Sequence, residues 1–335
     1  MILRSLRFIA LIVVVAALGL GLMMRPALAT AQDTSATPMA APAPQLPATV
    51  QNVSGDEVTI SDVSRIVPLS GDIAEIAWSL GLGENVVGVD VSAVYPAEAW
   101  ADLPRIGFER QLSAEGILSL NPTVVIGKEQ AGPPEVLDQL RDAGVPVVIV
   151  GEPQTLEAPG AKIRSVAAAL GVVEAGDVLA AKVEGEIAAA RELAATAADQ
   201  PRVLFIYVRG GGTQLIGGSG VVSNAMIEAA GGIDAGVAAG VQGFMPVTAE
   251  IIVAAQPDVI VVPSSGVESI GGLEALLDIP GVAETPAGHA GWFLVYDDLR
   301  LLGMTPRTGE MLHEMTLGLH PELAAATPEA SPVAG

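Results

Sequence analysis

Short apolar segments alternate with stretches of helical periodicity along most of this chain. Within 72–81, apolar residues recur at the spacing of one helix face, at Ile73, Ile76, Ala77 and Leu80. Segments rich in Val and Ile are predicted as strands at 65–69, 86–89, 124–126 and 147–150. Because strands and helices alternate, the sequence predicts an α/β fold with a parallel or mainly parallel sheet.

The alternation restarts after an Ala- and Glu-rich segment at 175–198 that contains no proline. This segment predicts one continuous helix of about 36 Å. The string LSAEGILSLNPTVVI, which begins at Leu112, has a counterpart 135 residues later in VTAEIIVAAQPDVIV, which begins at Val247. Each string predicts a capped helix, a proline stop and a buried strand. We therefore expect two similar lobes with mainly parallel central sheets, joined by the long helix, and a ligand cleft between them.

The N-terminus has the pattern of an export signal. Arg4 and Arg7 precede an apolar run of 17 residues at 8–24, and the string ALATA from Ala27 fits a small-residue cleavage site. An uncleaved membrane anchor is the alternative, since this run is close to the short limit of a membrane span. Either form places the rest of the chain outside the cytoplasm, in the periplasm or beyond the cell. The predicted organisation is a signal peptide at 1–31, a disordered linker at 32–48, an N-terminal lobe at 49–174, the connecting helix at 175–199, a C-terminal lobe at 200–320 and a disordered tail at 321–335.

Composition narrows the classes of function. The 335 residues include 16 Lys and Arg against 38 Asp and Glu, a net charge of −22 that disfavours binding to nucleic acid. There is no cysteine, which excludes disulfides, thiolate metal sites and the usual lipoprotein anchor. The three histidines all lie in the last fifth of the chain, and no nucleophile–base pair or phosphate-binding motif stands out. The sequence therefore favours a binding protein over an enzyme.

Several strings then identify a family. They are RIVPLSGDIAEI from Arg65, IGFERQLSAEGILSL from Ile106, AGPPE from Ala131, YVRGG from Tyr207, AAGG from Ala229 and GFMPVTAE from Gly243. Together they resemble the substrate-binding proteins of bacterial ABC importers for haem, cobalamin and siderophores, and most closely the haem-specific branch. The resemblance covers about residues 50–320. It implies a class III periplasmic-binding-protein fold and a monomer without catalytic activity that captures haem and delivers it to a permease.

Tyr207 and Arg209 are the candidate pair for haem iron. They lie two residues apart at the end of a predicted strand, so their side chains project to the same face. A neighbouring cation favours the phenolate form of tyrosine, a good ligand for ferric iron. The resemblance implies that Tyr207 is the axial ligand and Arg209 its partner. The interpretation from the strand alone is a core tyrosine beside a solvated arginine.

The opposite side of the cleft departs from the family pattern. Phe108 stands where haem binders of this kind often have Tyr or His, and phenylalanine can stack on a porphyrin but cannot coordinate iron. Either the iron is five-coordinate through Tyr207, or another residue supplies the sixth ligand. The candidates are Met245, Lys128, Glu129 and, if Tyr207 is not the ligand, His289.

Charged residues supply the remaining candidates. Guanidinium groups bind carboxylates in a fork, so contacts with the haem propionates are expected from Arg110, Arg209, Arg300 and Arg307. The resemblance implies that Glu75 and Glu228, each on the first helix of its lobe, dock onto a permease. Ordinary solvated helix charges are the alternative for this pair.

Other functions remain open at this point. Within the same importer group, the ligand is alternatively cobalamin or a ferric siderophore. In different classes, the chain is a secreted haem scavenger or a periplasmic enzyme that uses the cleft.

Overall fold

The computed structural model describes residues 43–326. The predicted signal peptide, most of the predicted linker and the last residues of the predicted tail lie outside this range. Within it, no helix combines the length and apolar character needed to cross a membrane.

The N-terminal lobe contains a hairpin and a parallel three-stranded sheet. The strands are β1 Ala48–Gln51, β2 Glu57–Ile60, β3 Ile66–Pro68, β4 Val124–Lys128 and β5 Val147–Val150. The hairpin pairs β1 with β2, and the sheet has the order β3-β4-β5. The helices are α1 Gly71–Ser79, α2 Ala97–Trp100, α3 Ala114–Leu118, α4 Pro134–Asp142 and α5 Ala158–Ala169, with a 3₁₀ turn at Gly83–Asn85.

The strand predicted at 86–89 is wrong. Val86 forms a single bridge with Ile66, and Val89 forms a single bridge with Arg105. Because the two residues pair with different segments, no continuous ladder develops, although both side chains are buried in the core.

The long connecting helix, α6, runs over Val173–Ala194 and packs against α5 and against a C-terminal helix, α13 (Thr308–Leu319). It ends four residues earlier than the sequence pattern predicts. At this end the backbone N–H and the hydroxyl of Thr196 both donate to the carbonyl of Leu193, at 3.0 and 2.7 Å, which closes the helix with a tighter turn.

The C-terminal lobe is built on a mixed sheet of order β11-β10-β6-β7-β9, with β8 beside β6. Strands β6, β8, β10 and β11 are parallel, whereas β7 and β9 run antiparallel to their neighbours. The strands are β6 Arg202–Arg209, β7 Thr213–Gly217, β8 Ile233–Asp234, β9 Phe244–Pro246, β10 Val259–Pro263 and β11 Phe293–Tyr296. The remaining helices are α7 Val222–Ala229, α8 Ala235–Ala238, α9 Ala249–Ala255, α10 Ser264–Ser269, α11 Pro286–Ala290, α12 Asp298–Leu302 and α14 Pro321–Ala326, with a 3₁₀ turn at Leu273–Asp278.

Two features of this lobe differ from expectation. The glycines 210–212 form the turn between β6 and β7, with Gly210 at φ +55°, and the sequence analysis did not recognise the strand that follows them. The disordered tail expected from residue 321 instead begins with α14, because Pro321 suits the first turn of a helix and Leu323 is buried.

Buried charges connect the two lobes. Arg307, just before α13, donates from Nε and Nη2 to the two carboxylate oxygens of Glu75 on α1, at 2.9 and 2.8 Å. Its guanidinium carbon lies 3.6 Å from the ring centroid of Tyr95. Lys162 on α5 bonds to Asp72 and donates to the carbonyl of Gly303 at 2.8 Å. We call Asp72, Glu75, Lys162 and Arg307 the interlobe charge layer; all four are buried.

Removing one partner of this layer should leave an uncompensated buried charge. We expect Arg307→Ala to lower the free energy of unfolding by about 3–5 kcal/mol, measured by urea denaturation. The matched control is Arg141→Ala, which breaks an exposed pair with Asp138 on α4 and should cost less than about 1 kcal/mol. Equal losses for the two variants would contradict the role of the layer.

The interlobe charge layer should also make the free energy of unfolding depend on pH. Burial opposes the ionisation of Asp72, but the ammonium groups of Lys162 and Lys128 outweigh it and hold its pKa well below the ordinary value of 3.8. As the pH falls, Asp72 is therefore protonated in the unfolded chain before it is protonated in the folded protein. Its contribution to the free energy of unfolding is complete near neutrality and is lost as the pH falls below about 5. We expect Asp72→Asn to be less stable at pH 7 and to lose less stability than wild type between pH 5 and pH 3, measured by urea unfolding at each pH. Parallel pH profiles would contradict this expectation.

Candidate functional site

A cavity of about 630 Å³ opens between the two lobes. Its lining comes largely from residues at or just after the carboxyl ends of the parallel strands, the usual ligand position in open α/β sheets. These residues are Asp72 after β3, Lys128 in β4, Glu152 after β5, Tyr207 and Arg209 in β6, Ser264 and Ser265 after β10, and Asp297 and Asp298 after β11.

Tyr207 and Arg209 both line the cavity, as the strand spacing predicts. Since successive side chains alternate between the two faces of β6, both project from the same face. The guanidinium carbon of Arg209 lies 4.9 Å from the centroid of the Tyr207 ring. The Phe244 ring, from β9, lies 6.4 Å from the Tyr207 ring and extends this face as an aromatic surface.

Arg209 is also held by a carboxylate. Its Nη2 bonds to Oδ1 of Asp298, which further accepts from the Ser265 hydroxyl at 2.6 Å. Oδ2 of Asp298 accepts from the Ser265 backbone N–H at 3.0 Å and from the Ser264 hydroxyl at 3.4 Å. Burial opposes the ionisation of Asp298, but the hydrogen bonds from Ser265 and Arg209 prevail and lower its pKa. The carboxylate is therefore a fixed anion.

The N-terminal lobe presents an apolar wall to the cavity. Val91, Val94 and Phe108 line it and keep 51, 49 and 44% of their surface exposed. Apolar side chains left this open on a cavity wall provide contact area for an apolar ligand. The wall contains no group that can coordinate iron.

Lys128, which also lines the cavity from the N-terminal lobe, is surrounded by carboxylates. Its ammonium lies 2.7 Å from Glu152, 3.4 Å from Asp72 and 3.7 Å from Glu109. Burial opposes the charge of Lys128, but these three carboxylates outweigh it and raise its pKa. Burial also raises the pKa of Glu109. Lys128 is thus already neutralised by the protein, which disfavours it as an iron ligand.

Arg110 lies at the cavity edge with 60% of its side chain exposed. It bonds to the side-chain oxygen of Gln130, and the Glu109 carboxylate lies 3.9 Å from its Nε. Its guanidinium is therefore held mainly by a neutral amide.

The structure brings Tyr207, Arg209, Phe108 and Arg110 together but not Met245. Met245 pairs with Ile216 across β9 and β7, and Ile216 pairs with Ile206, so Met245 projects to the opposite face of the sheet from Tyr207. The prediction of Met245 as a cavity residue is wrong for this reason. Its neighbour Phe244 faces the site instead, which strand alternation would have indicated had β9 been recognised.

Five other candidate residues do not fit the roles expected of them. Glu75 has no exposed surface and is bonded to Arg307, so it cannot dock onto a partner protein. The same pair removes Arg307 from the candidate propionate contacts. Arg300 bonds to Glu314 at 3.0 Å and does not line the cavity. Glu129 and His289 are exposed outside it as well.

The sequence analysis missed Asp298 and the two serines that hold it. Their signal was present, because Ser264 and Asp298 both follow strands that end at the same sheet edge. Which of these strand-end side chains reaches Arg209 depends on the sheet order β11-β10-β6, which periodicity does not give.

Known proteins resemble this chain over most of its length. The periplasmic heme-binding protein RhuT from Roseiflexus sp. RS-1, solved in apo form, is 53% identical with a TM-score of 0.76, over 78% of this chain and 100% of that one. The heme binding protein HmuT is 35% identical with a TM-score of 0.78, over 85% and 94%. An uncharacterized ABC transporter substrate-binding lipoprotein of Bacillus subtilis (strain 168), YvrC, is 29% identical over 219 residues, 64% of this chain and 68% of that protein.

The family described as "Periplasmic binding protein" matches residues 66–298, which include most of both lobes, the connecting helix and the strand ends that line the cavity. This match covers well over half of the chain and agrees with the fold. The chain belongs to the periplasmic binding protein family.

Proposed function

We propose that this chain captures haem in the interlobe cavity and delivers it to the permease of an ABC importer. The observation that carries the proposal is the Tyr207–Arg209 pair on one side of the cavity, opposite the apolar wall of Val91, Val94 and Phe108. The names of RhuT and HmuT, which describe heme-binding proteins, support the same ligand. Binding requires no catalytic group, and we infer none.

Tyr207 is the proposed axial ligand. A phenolate oxygen is a hard anionic donor suited to ferric iron, and the guanidinium carbon of Arg209 lies 4.9 Å from the centroid of the Tyr207 ring. Phe108 offers ring contact on the other side without a donor atom. We therefore infer five-coordinate, high-spin ferric haem, with Tyr207 as the protein ligand.

Arg110 is the proposed propionate contact. The other two cations that line the cavity are engaged by carboxylates, Arg209 by Asp298 and Lys128 by three acids. Arg110 is exposed at the edge, so a propionate there keeps part of its hydration and gains a charge-assisted hydrogen bond. The ring would then enter with its vinyl edge first.

Export and delivery complete the proposal. We infer that residues 1–31 act as the export signal, cleaved or kept as an anchor, and that the protein works outside the cytoplasm as a monomer. Glu228 is exposed on α7, and among the described residues its carboxylate accepts a hydrogen bond only from Asn224, which leaves it accessible to a permease. We retain Glu228 alone as the proposed docking residue.

The iron ligand can be tested by spectroscopy. Wild-type protein loaded with ferric haem should show a tyrosinate charge-transfer band, and Tyr207→Phe should lose the band and release haem at least about tenfold faster, since the coordinate bond is gone. Release is measured as transfer to apomyoglobin.

Two variants serve as controls for this experiment. Tyr296→Phe, at a buried tyrosine outside the cavity, should keep the band and the release rate. Phe108→Ala should keep the band and speed release only severalfold, through lost ring contact. A Tyr207→Phe spectrum identical to wild type would refute the assignment, and a wild-type protein that binds cobalamin but not haem would refute the proposed ligand.

The propionate contact can be tested by changing the ligand. We expect Arg110→Gln to weaken binding of haem by roughly tenfold, since a charged hydrogen bond is lost, and to leave binding of haem dimethyl ester unchanged. Arg141→Gln, on an exposed helix outside the cavity, is the matched control and should affect neither ligand. An equal loss for both ligands would show that Arg110 does not recognise the propionates.

A further inference from the structure

Asp298 occupies a position that the proposed function leaves without a role. It lines the cavity but bears the wrong charge to bind a propionate, and it contacts Arg209 rather than Tyr207. Resting on the proposed function, we infer that Asp298 is a positioning residue that fixes the Arg209 guanidinium against Tyr207 and so determines how firmly the protein holds haem iron.

Asp298 is itself held rigidly. Its two oxygens accept hydrogen bonds from the hydroxyl and backbone N–H of Ser265, at 2.6 and 3.0 Å, and one of them also faces the Ser264 hydroxyl at 3.4 Å. Both serines stand at the start of α10, directly after β10, the strand between β11 and β6. Asp298 follows β11, the serines that bond to it follow β10, and Arg209 ends β6. Three neighbouring strand ends therefore fix the position of the carboxylate and of the arginine that it contacts.

Arg209 depends on this anchor. Among residues 43–326, no side chain other than Asp298 accepts a hydrogen bond from it, and its remaining bond is a 3.4 Å contact with the carbonyl of its neighbour Val208. An arginine side chain loses considerable rotamer entropy when it is ordered, so it needs a partner that holds it in one position. Without Asp298, the guanidinium would be free to leave the Tyr207 ring and turn towards the open cavity.

The same pairing affects how haem is oriented. A guanidinium bound to a carboxylate is a poor partner for a propionate, so Asp298 keeps Arg209 for the tyrosine and leaves propionate binding to Arg110. The iron-binding and carboxylate-binding ends of the cavity are thereby kept apart.

Two substitutions separate the positioning role from the charge of Asp298. Asp298→Asn and Asp298→Ala both remove the negative charge, but only asparagine keeps an oxygen that can accept a hydrogen bond from Arg209. Any direct electrostatic effect on Tyr207 is therefore common to the two variants, and the difference between them reports on the position of Arg209.

We expect haem to dissociate roughly five- to tenfold faster from Asp298→Ala than from Asp298→Asn, because alanine loses the hydrogen bond to the Arg209 guanidinium that asparagine can keep. Dissociation is measured as transfer of haem to apomyoglobin. The tyrosinate charge-transfer band should also differ in position between the two. In an Arg209→Ala background both differences should vanish, because the residue being positioned is absent.

Ser265→Ala provides a second route if Asp298→Ala does not fold. It leaves the charge of Asp298 in place and removes one of the groups that anchor it, so dissociation should again be faster with Arg209 present and unchanged in the Arg209→Ala background. Equal dissociation rates for the Asn and Ala variants, or a difference that persists without Arg209, would overturn the inference while the wild-type tyrosinate band stands. A wild-type protein without that band would overturn the proposed function and this inference together.

Discussion

The interlobe charge layer is the constraint on which the cavity depends. Arg307 belongs to the C-terminal lobe, yet its guanidinium lies between Glu75 and Tyr95 of the N-terminal lobe, and Lys162 donates in the opposite direction to Gly303. A buried ion pair is weak evidence for net stability but requires a specific geometry, because a misplaced charge is left unsolvated. Together with the continuous helix α6, the layer fixes the distance between Tyr207 on one wall and Phe108 on the other. We therefore expect only small closure on ligand binding, because a large motion of the lobes would have to break these buried ion pairs.

The pairing of charges also explains which groups in the cavity remain available to a ligand. Of the eight charged side chains that line it, five are acidic, a poor environment for a dianionic ligand. The acids are largely occupied, however: Asp72, Glu109 and Glu152 surround Lys128, and Asp298 holds Arg209. What remains for a ligand is a phenol, an aromatic and aliphatic wall, and one guanidinium at the edge. That combination suits a flat, apolar ring with an anionic rim and a hard metal centre better than it suits a fully polar chelate.

The sequence predicted what depends on local pattern. The α/β alternation, the long helix, the shared face of Tyr207 and Arg209, and the cavity positions of Phe108 and Arg110 follow from periodicity, or from the resemblance of strings such as that from Ile106. The predictions that failed concern side chains whose surroundings are set by residues far away in the sequence. Arg307, 232 residues away in the sequence, buries Glu75 by bonding to it. The register of the three-residue strand β9 against β7 decides that Phe244 rather than Met245 faces the site. A short strand flanked by glycine gives no periodic signal strong enough to fix such a register.

The internal similarity of the two lobes is therefore only a similarity of scaffold. Both lobes place strand ends at the cavity, but the N-terminal lobe contributes an apolar wall and the carboxylates around Lys128, whereas the C-terminal lobe contributes Tyr207 and the bonded pair of Asp298 and Arg209. Under the proposed function, this division assigns separate tasks to separate walls: contact area and carboxylate recognition on one side, metal coordination on the other. Because Asp298 is bonded to Arg209 and Ser265 within the C-terminal lobe, we expect phenylalanine at position 108 to leave the proposed ligand Tyr207 and its arginine undisturbed on the other wall. A scaffold of this kind can exchange the residue that faces the iron while keeping the tyrosine, its arginine and the fold intact.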